Sequence, residues 1–229
     1  MSNFLIETIN LKKTYEHRDG TINLFDNVNI KIKPGDLVAL TGPSGSGKSS
    51  LIHLLALLDD PTKGKILFKK KDTKNFSSEE KDLARRLNIS IIFQDNNLLS
   101  DFSALENVIM PLIIRGEKTK NSINKAKKIF KKVGIINRLN HFPNELSGGE
   151  QQRVAIASAL ISETELILAD EPTGNLDHKT SKDIFSFFRS LKKLNKAIIF
   201  ATHNRELANM ADYKLSISRG NIKRVNAST

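Results

Sequence analysis

Cysteine is absent from the 229 residues, tryptophan is absent too, and tyrosine occurs only twice. Without a thiol there is no disulfide framework, no thiolate zinc site and no cysteine nucleophile, which suits a reducing compartment. Long apolar runs are missing as well, and none approaches the ~18 residues that a membrane span requires. Residues 1–13 lack a charged head followed by an apolar stretch and a small-residue cleavage site, so no secretory signal is expected. The expectation is a soluble, cytoplasmic chain. Acidic residues are outnumbered, 25 against 36 lysines and arginines, for a formal charge of +11. Such a balance can serve nucleic acid or an anionic membrane surface. The lysines are nevertheless scattered, with local runs at Lys69-Lys70-Lys71, Lys127-Lys128 and Lys131-Lys132 rather than one patch interleaved with aromatics. They read as solvated faces, and no nucleic-acid partner is expected.

Against these absences stands one dense motif, Gly42-Pro43-Ser44-Gly45-Ser46-Gly47-Lys48-Ser49. It follows an apolar run at Leu37-Val38-Ala39-Leu40 and precedes residues 50–58, apolar at helical spacing. That strand, turn and helix context is what a phosphate-binding loop needs. Its glycines allow a tight turn that aims backbone N–H groups inward at the positive end of a helix. Lys48 can then reach β- and γ-phosphates, and the Ser49 hydroxyl can ligate Mg²⁺.

Further along, apolar strands are expected at residues 4–9, 65–68, 89–93, 166–171 and 197–202, with a half-exposed strand at 28–33 and a closing hairpin at 213–225. Ser77 or Ser78 is expected to open a polar helix, since Ser77-Ser78-Glu79-Glu80 has an N-cap pattern. Residues 95–159 read as helical, including an apolar stretch at 102–114, a basic one at 122–133 and a third helix after Leu146. Buried runs alternating with helices imply a mainly parallel α/β sheet covered on both faces.

Ligands of such sheets bind beyond the carboxyl ends of the strands. Gln94, the pair Asp170-Glu171 and His203 all fall there, as the loop does. Asp170 suits Mg²⁺, and Glu171 can polarise an attacking water. Gln94 can complete the metal or water shell, and His203 can donate to the γ-phosphate. Each alone has a plainer reading: paired acids can be solvated, and a lone Gln or His is commonly structural. Tyr15, preceded by Lys12-Lys13-Thr14, can stack on a base or simply pack. His17, His53, His141 and His178 show no metal-ligand spacing.

The stretch Leu146-Ser147-Gly148-Gly149-Glu150 resembles the hallmark of ATP-binding-cassette ATPases. It stands in that family's order, after residues 42–49 and Gln94 and before Asp170-Glu171, Asn175-Leu176-Asp177 and His203. The resemblance implies a P-loop NTPase core with a mainly parallel sheet, formed by about residues 1–94 and 160–229. It also implies an N-terminal antiparallel β subdomain that holds Tyr15 against adenine, and an inserted helical subdomain over about 95–159. The implied ligands are ATP and Mg²⁺. The nucleotide positions are Tyr15, residues 42–49, Ser50, Ser147, Gly148 and Gly149; Ser49, Gln94 and Asp170 are implied for the metal, and Glu171, His203 and Gln94 for catalysis.

The family also implies two such domains facing each other, each ATP lying between residues 42–49 of one and Ser147-Gly148-Gly149 of the other. Asn175-Leu176-Asp177 would line the seam. A lone cassette implies a homodimer, or a pair with a homologue, working beneath integral membrane permease subunits at the cytoplasmic side of the inner membrane. Residues 97–108 and 170–177 are most similar to the lipoprotein-releasing branch, whose cargo the ATPase would handle only indirectly; peptide or macrolide exporters and cell-division signalling complexes share much of the pattern. Two departures are present: Asp95-Asn96-Asn97 follow Gln94 where that branch often has histidines, and Asn204 follows His203 in place of the usual Asp.

Overall fold

The computed structural model describes residues 4–17 and 20–226, and of His17 the backbone alone. Strands β1 (Ile6–His17), β2 (Gly20–Val28) and β3 (Lys31–Ile32) open the chain. With β5 (Lys63–Phe68) and β6 (Lys71–Asp72) they form an antiparallel sheet ordered β2-β1-β5-β6, β3 pairing the far end of β1. The alternation at residues 28–33 is real in burial, since Val28, Ile30 and Ile32 face the core. It is not one strand, however: Asn27 adopts a left-handed φ of 53°, and residues 29–30 leave the ladder.

The second sheet runs β11-β10-β4-β9-β8-β7, comprising β4 (Leu37–Thr41), β7 (Ile89–Ile92), β8 (Leu166–Asp170), β9 (Ala197–Ala201), β10 (Tyr213–Ser218) and β11 (Asn221–Asn226). All its pairings are parallel except the closing hairpin β10–β11. Every residue of β8 and β9 is buried, because helices cover one face and the antiparallel sheet with α1 (Lys48–Leu55) covers the other. Successive residues therefore serve different cores. Ile167, Ala169, Ile198 and Phe200 enter the helical side, while Leu166, Leu168, Ala197 and Ile199 enter the α1 side. This two-sided burial is why these strands read as continuous apolar runs.

The remaining helices are α2 (Ser78–Asn88), α3 (Ala104–Ile114), α4 (Thr119–Lys132), α5 (Gly148–Ile161), α6 (His178–Lys192) and α7 (Arg205–Asn209). Ser77, Ser103 and Ser147 each cap a helix through a reciprocal box with the glutamate three residues on, satisfying two terminal N–H groups at a stroke. Helix α1 is shorter than its apolar run: it ends at Leu55, Leu57 turns left-handed, and Leu58 faces solvent. Under β9, Phe185 of α6 meets Phe200 edge-on at a centroid distance of 4.6 Å. Such a pair adds about 0.5–1.5 kcal/mol to its area burial, and it fixes the strand that carries His203.

Candidate nucleotide-binding and catalytic site

Parallel pairing sets the order of the site. Loop 42–49 leaves the carboxyl end of β4, His203 lies just past β9, Asp170 ends β8, and Gln94 follows β7. These four strands are neighbours in that sequence. Four segments separated by up to about 160 positions thus reach one edge of the sheet.

Two glycines of the loop are constrained, Gly42 by close approach and Gly47 by its backbone angle. A Cβ on Gly42 would stand 2.7 Å from the Ile217 carbonyl oxygen and 2.8 Å from Ser46 Oγ. Gly47 caps α1 in the left-handed region, with φ 94°, against Leu24 and Phe25 of β2. The first N–H groups of α1 consequently face the loop interior. Lys48 Nζ donates to the carbonyls of Gly42 and Pro43 at 3.0 and 3.1 Å, so its ammonium lies across the mouth of the turn. Ser46 Oγ is buried without a hydrogen-bond partner among the described residues. Unpaired donors beside a cation in a glycine turn suit phosphate oxygens.

Asp170 is 7% exposed and has no basic partner among the described residues. A buried carboxylate in that position suits a cation. Glu171 next to it takes a left-handed φ of 47°, held by its N–H to the Ala201 carbonyl at 3.1 Å and by the Gly174 N–H to its own carbonyl at 3.0 Å. A non-glycine residue in this region costs about 1 kcal/mol. The turn sets the carboxylate at the sheet edge, where Oε1 lies 3.1 Å from His203 Nδ1. Gln94 is exposed at the end of β7.

Asn204 is the cap of α7, its Oδ1 accepting the Leu207 N–H at 3.2 Å. An aspartate would make the same bond, so this departure leaves the local structure intact. Asn96 and Asn97 both have left-handed φ, 58° and 48°, a conformation that asparagine tolerates better than most residues.

The segment Ser147-Gly148-Gly149 sits at the amino end of α5, with Ser147 and Gly148 exposed. Glu150 Oε2 accepts from the Ser147 N–H at 2.9 Å and its hydroxyl at 3.0 Å, while Oε1 accepts from Arg138 Nε at 2.7 Å. The Arg138 guanidinium and the Ser147 N–H hold the Glu150 carboxyl down at about 2. Gly149 lies against the Asn175 carbonyl and the Leu176 side chain, where a Cβ would meet the Asn175 oxygen at 3.2 Å. The Asn175 amide also donates to Gln152 Oε1 at 3.4 Å. Arg138, Gln152 and the helix α6 that Asp177 caps were not singled out by motif.

Tyr15 is 39% exposed on β1, its hydroxyl donating to Asp59 at 3.0 Å. Among the described residues no cluster of three or more acidic or histidine side chains forms a metal cage, and no helix is long and apolar enough to cross a membrane.

A phosphate loop at β4, two acids at β8 and a histidine at β9 define a P-loop nucleoside triphosphatase. The chain belongs to the ABC transporter family, whose profile matches residues 25–174. It is thus an ATP-binding, ABC-type ATPase. It is 45% identical over 218 residues, 94% of this chain and 96% of the relative, to the lipoprotein-releasing system ATP-binding protein LolD of Rickettsia bellii. It is 41% identical, over 95% of this chain and 97% of the relative, to an uncharacterized ABC transporter ATP-binding protein of Methanocaldococcus jannaschii. Among solved structures, the dimeric ABC transporter cassette MJ0796 superposes with a TM-score of 0.93 at 35% identity, covering 97% of this chain and 98% of that one. The same cassette in a post-hydrolysis state bound to ADP and Pi matches equally well, at 34% identity.

Proposed function

We propose that the chain is the ATPase subunit of an inner-membrane complex that releases lipoproteins toward the outer membrane. The observation that carries this reading is the full-length likeness to lipoprotein-releasing ATP-binding proteins, 45% identical in the first relative given. The likeness extends to an uncharacterized archaeal ABC transporter ATP-binding protein, and the second reading is an ATPase of a related peptide or macrolide exporter or a cell-division signalling complex.

In the proposed cycle, residues 42–50 cradle the phosphates, Lys48 leaves its own loop carbonyls for β- and γ-oxygens, and Tyr15 stacks on adenine. Magnesium, when bound, neutralises charge developing on the phosphates; Ser49, Asp170 and Gln94 are the residues assigned to hold it. Glu171 accepts the proton of the attacking water. His203 donates to the γ-phosphate. Neutral imidazole has one N–H and serves either Glu171 or phosphate at one time, whereas imidazolium serves both.

Two copies, or this chain and a homologue, would face each other with Ser147, Gly148 and Gly149 of each completing the other's site. The exposure of Ser147 and Gly148 and the dimeric relative support this. ATP would then bridge the copies, and its hydrolysis would release them. We assign residues 95–159 to a helical subdomain that transmits this motion, with the remainder forming the nucleotide core. Between that subdomain and β7 lies a cleft of about 310 Å³ lined by Phe93, Asn96, Leu99, Met110, Pro111 and Ile114. Its partly exposed apolar rim, Leu99 and Ile114, fits an amphipathic segment of a permease at the cytoplasmic face of the membrane.

The test is purification of the tagged chain from detergent-solubilised membranes, with depletion of the protein in parallel. A co-purifying integral partner and accumulation of outer-membrane lipoproteins in the inner membrane are expected. Normal lipoprotein sorting after depletion, with peptide export or division lost, would give the assignment to the second reading.

A further inference from the structure

The end of the turn after α1, residues 59–62, is stitched to β1 at residues 12–15. The Thr62 N–H donates to the Lys12 carbonyl at 2.9 Å, and the Thr14 N–H donates to Thr62 Oγ1 at 3.0 Å. Within this seam lies a closed triangle of side chains. Lys13 Nζ donates to Asp59 Oδ1 at 2.7 Å and to the Asp60 carbonyl at 2.9 Å; the Tyr15 hydroxyl donates to Asp59 Oδ2 at 3.0 Å; and Lys13 Nζ lies 4.6 Å from the centre of the Tyr15 ring. Lys13 is 7% exposed, unlike the scattered surface lysines. Burial opposes the charge on Asp59, but the hydrogen bonds from Lys13 and Tyr15 outweigh it and keep the carboxyl below its ordinary range.

We propose that Lys13 and Asp59 are positioning residues for the nucleobase, holding the Tyr15 ring as a fixed stacking platform. The inference rests on the assignment of Tyr15 to the base. A part-exposed aromatic side chain has free χ rotations, and each one frozen in advance is a cost that binding no longer bears. Here both degrees of freedom are taken up: the carboxylate anchors the hydroxyl, and the ammonium occupies one face of the ring. Only the opposite face is left for a base. The cation also draws π density toward itself, which favours stacking of an electron-rich purine on the other side. Because Asp59 follows α1 closely and α1 begins at Lys48, one helix ties the base platform to the phosphate loop.

The experiment compares two ligands by calorimetry, a non-hydrolysable ATP analogue and inorganic tripolyphosphate, which shares the phosphates but has no base. In the Lys13→Met/Asp59→Asn double variant, which leaves no lone buried charge, analogue affinity is expected to fall about tenfold while tripolyphosphate changes less than about twofold. With tryptophan absent and Tyr213 buried, loss of nucleotide-induced quenching of tyrosine emission should accompany the change. An equal loss for both ligands would make the triangle a scaffold only and overturn the proposal. Unchanged affinity for both, with Tyr15→Ala still selectively weakened for the analogue, would overturn it while leaving the platform itself in place. If Tyr15→Ala does not separate the two ligands, the assignment of Tyr15 to the base is wrong and the proposal goes with it.

Discussion

Glu171 and His203, 32 residues apart in the chain, meet at the ends of adjacent parallel strands with Oε1 and Nδ1 separated by 3.1 Å. The left-handed turn at Glu171 and the edge-on packing of Phe185 beneath β9 hold the two sides of that contact. Replacing Glu171 by Gln keeps the shape and removes the proposed base. ATPase activity is expected to fall about 10²–10⁴-fold, the range for loss of a general base, while ATP affinity is retained. Light scattering with magnesium ATP should then show a stable dimer, and near-normal turnover in this variant would remove Glu171 from the role.

Lys48→Ala acts earlier, on binding. A charge-assisted hydrogen bond is worth about 1.5–3 kcal/mol, so nucleotide affinity should drop about ten- to a hundredfold. Calorimetry on the variant checks this, and affinity equal to the parent's would contradict the assignment of the loop.

Gly42→Ala tests the loop's close approach to β10. The new methyl meets a backbone oxygen at 2.7 Å, which cannot swing aside as a side chain can. The expected cost is about 1–3 kcal/mol, read as a lowered thermal midpoint together with weakened nucleotide binding.

The Arg138–Glu150 pair gives a pH dependence of defined sign. Glu150 has its carboxyl held at about 2, against an ordinary value of 4.5, first by Arg138. A depressed folded-state value stabilises the protein above pH 4.5, and the contribution is lost as pH falls toward 2. Arg138→Met should therefore lower the thermal midpoint at pH 6, and the gap from the parent should narrow between pH 4.5 and 2. A gap independent of pH would show that Arg138 acts through packing alone.

The strands that carry the site were legible because burial on both faces makes β4, β8 and β9 runs of apolar residues, with β7 broken only by Ser90, and the candidate site residues stand at their ends. Of the three serine caps only that at Ser77 was legible, by the same local chemistry that the structure shows. Strand β2 was not, since the adjacent pairs Leu24-Phe25 and Asp26-Asn27 break the alternation that Thr21 to Leu24 begin, and the strand is held by pairing with β1. Helix α6 stands outside the sequence expectations although Ile184, Phe185, Phe188 and Leu191 carry its period. The Lys13–Asp59–Tyr15 triangle depends on a contact spanning 46 residues, and no local pattern announces such a meeting.

The placement of β4 in the middle of its sheet has a consequence for synthesis. Its two neighbours are β9 and β10, made from residues 197–201 and 213–218. While the ribosome is still producing the first 196 residues, the strand beneath the phosphate loop has no partner on either side. Late, long-range pairing of this kind is slow and leaves strand edges open to association. A nascent chain therefore cannot close the sheet beneath its phosphate loop until residue 218 has been made, and up to that point the β10 edge of β4 stays open.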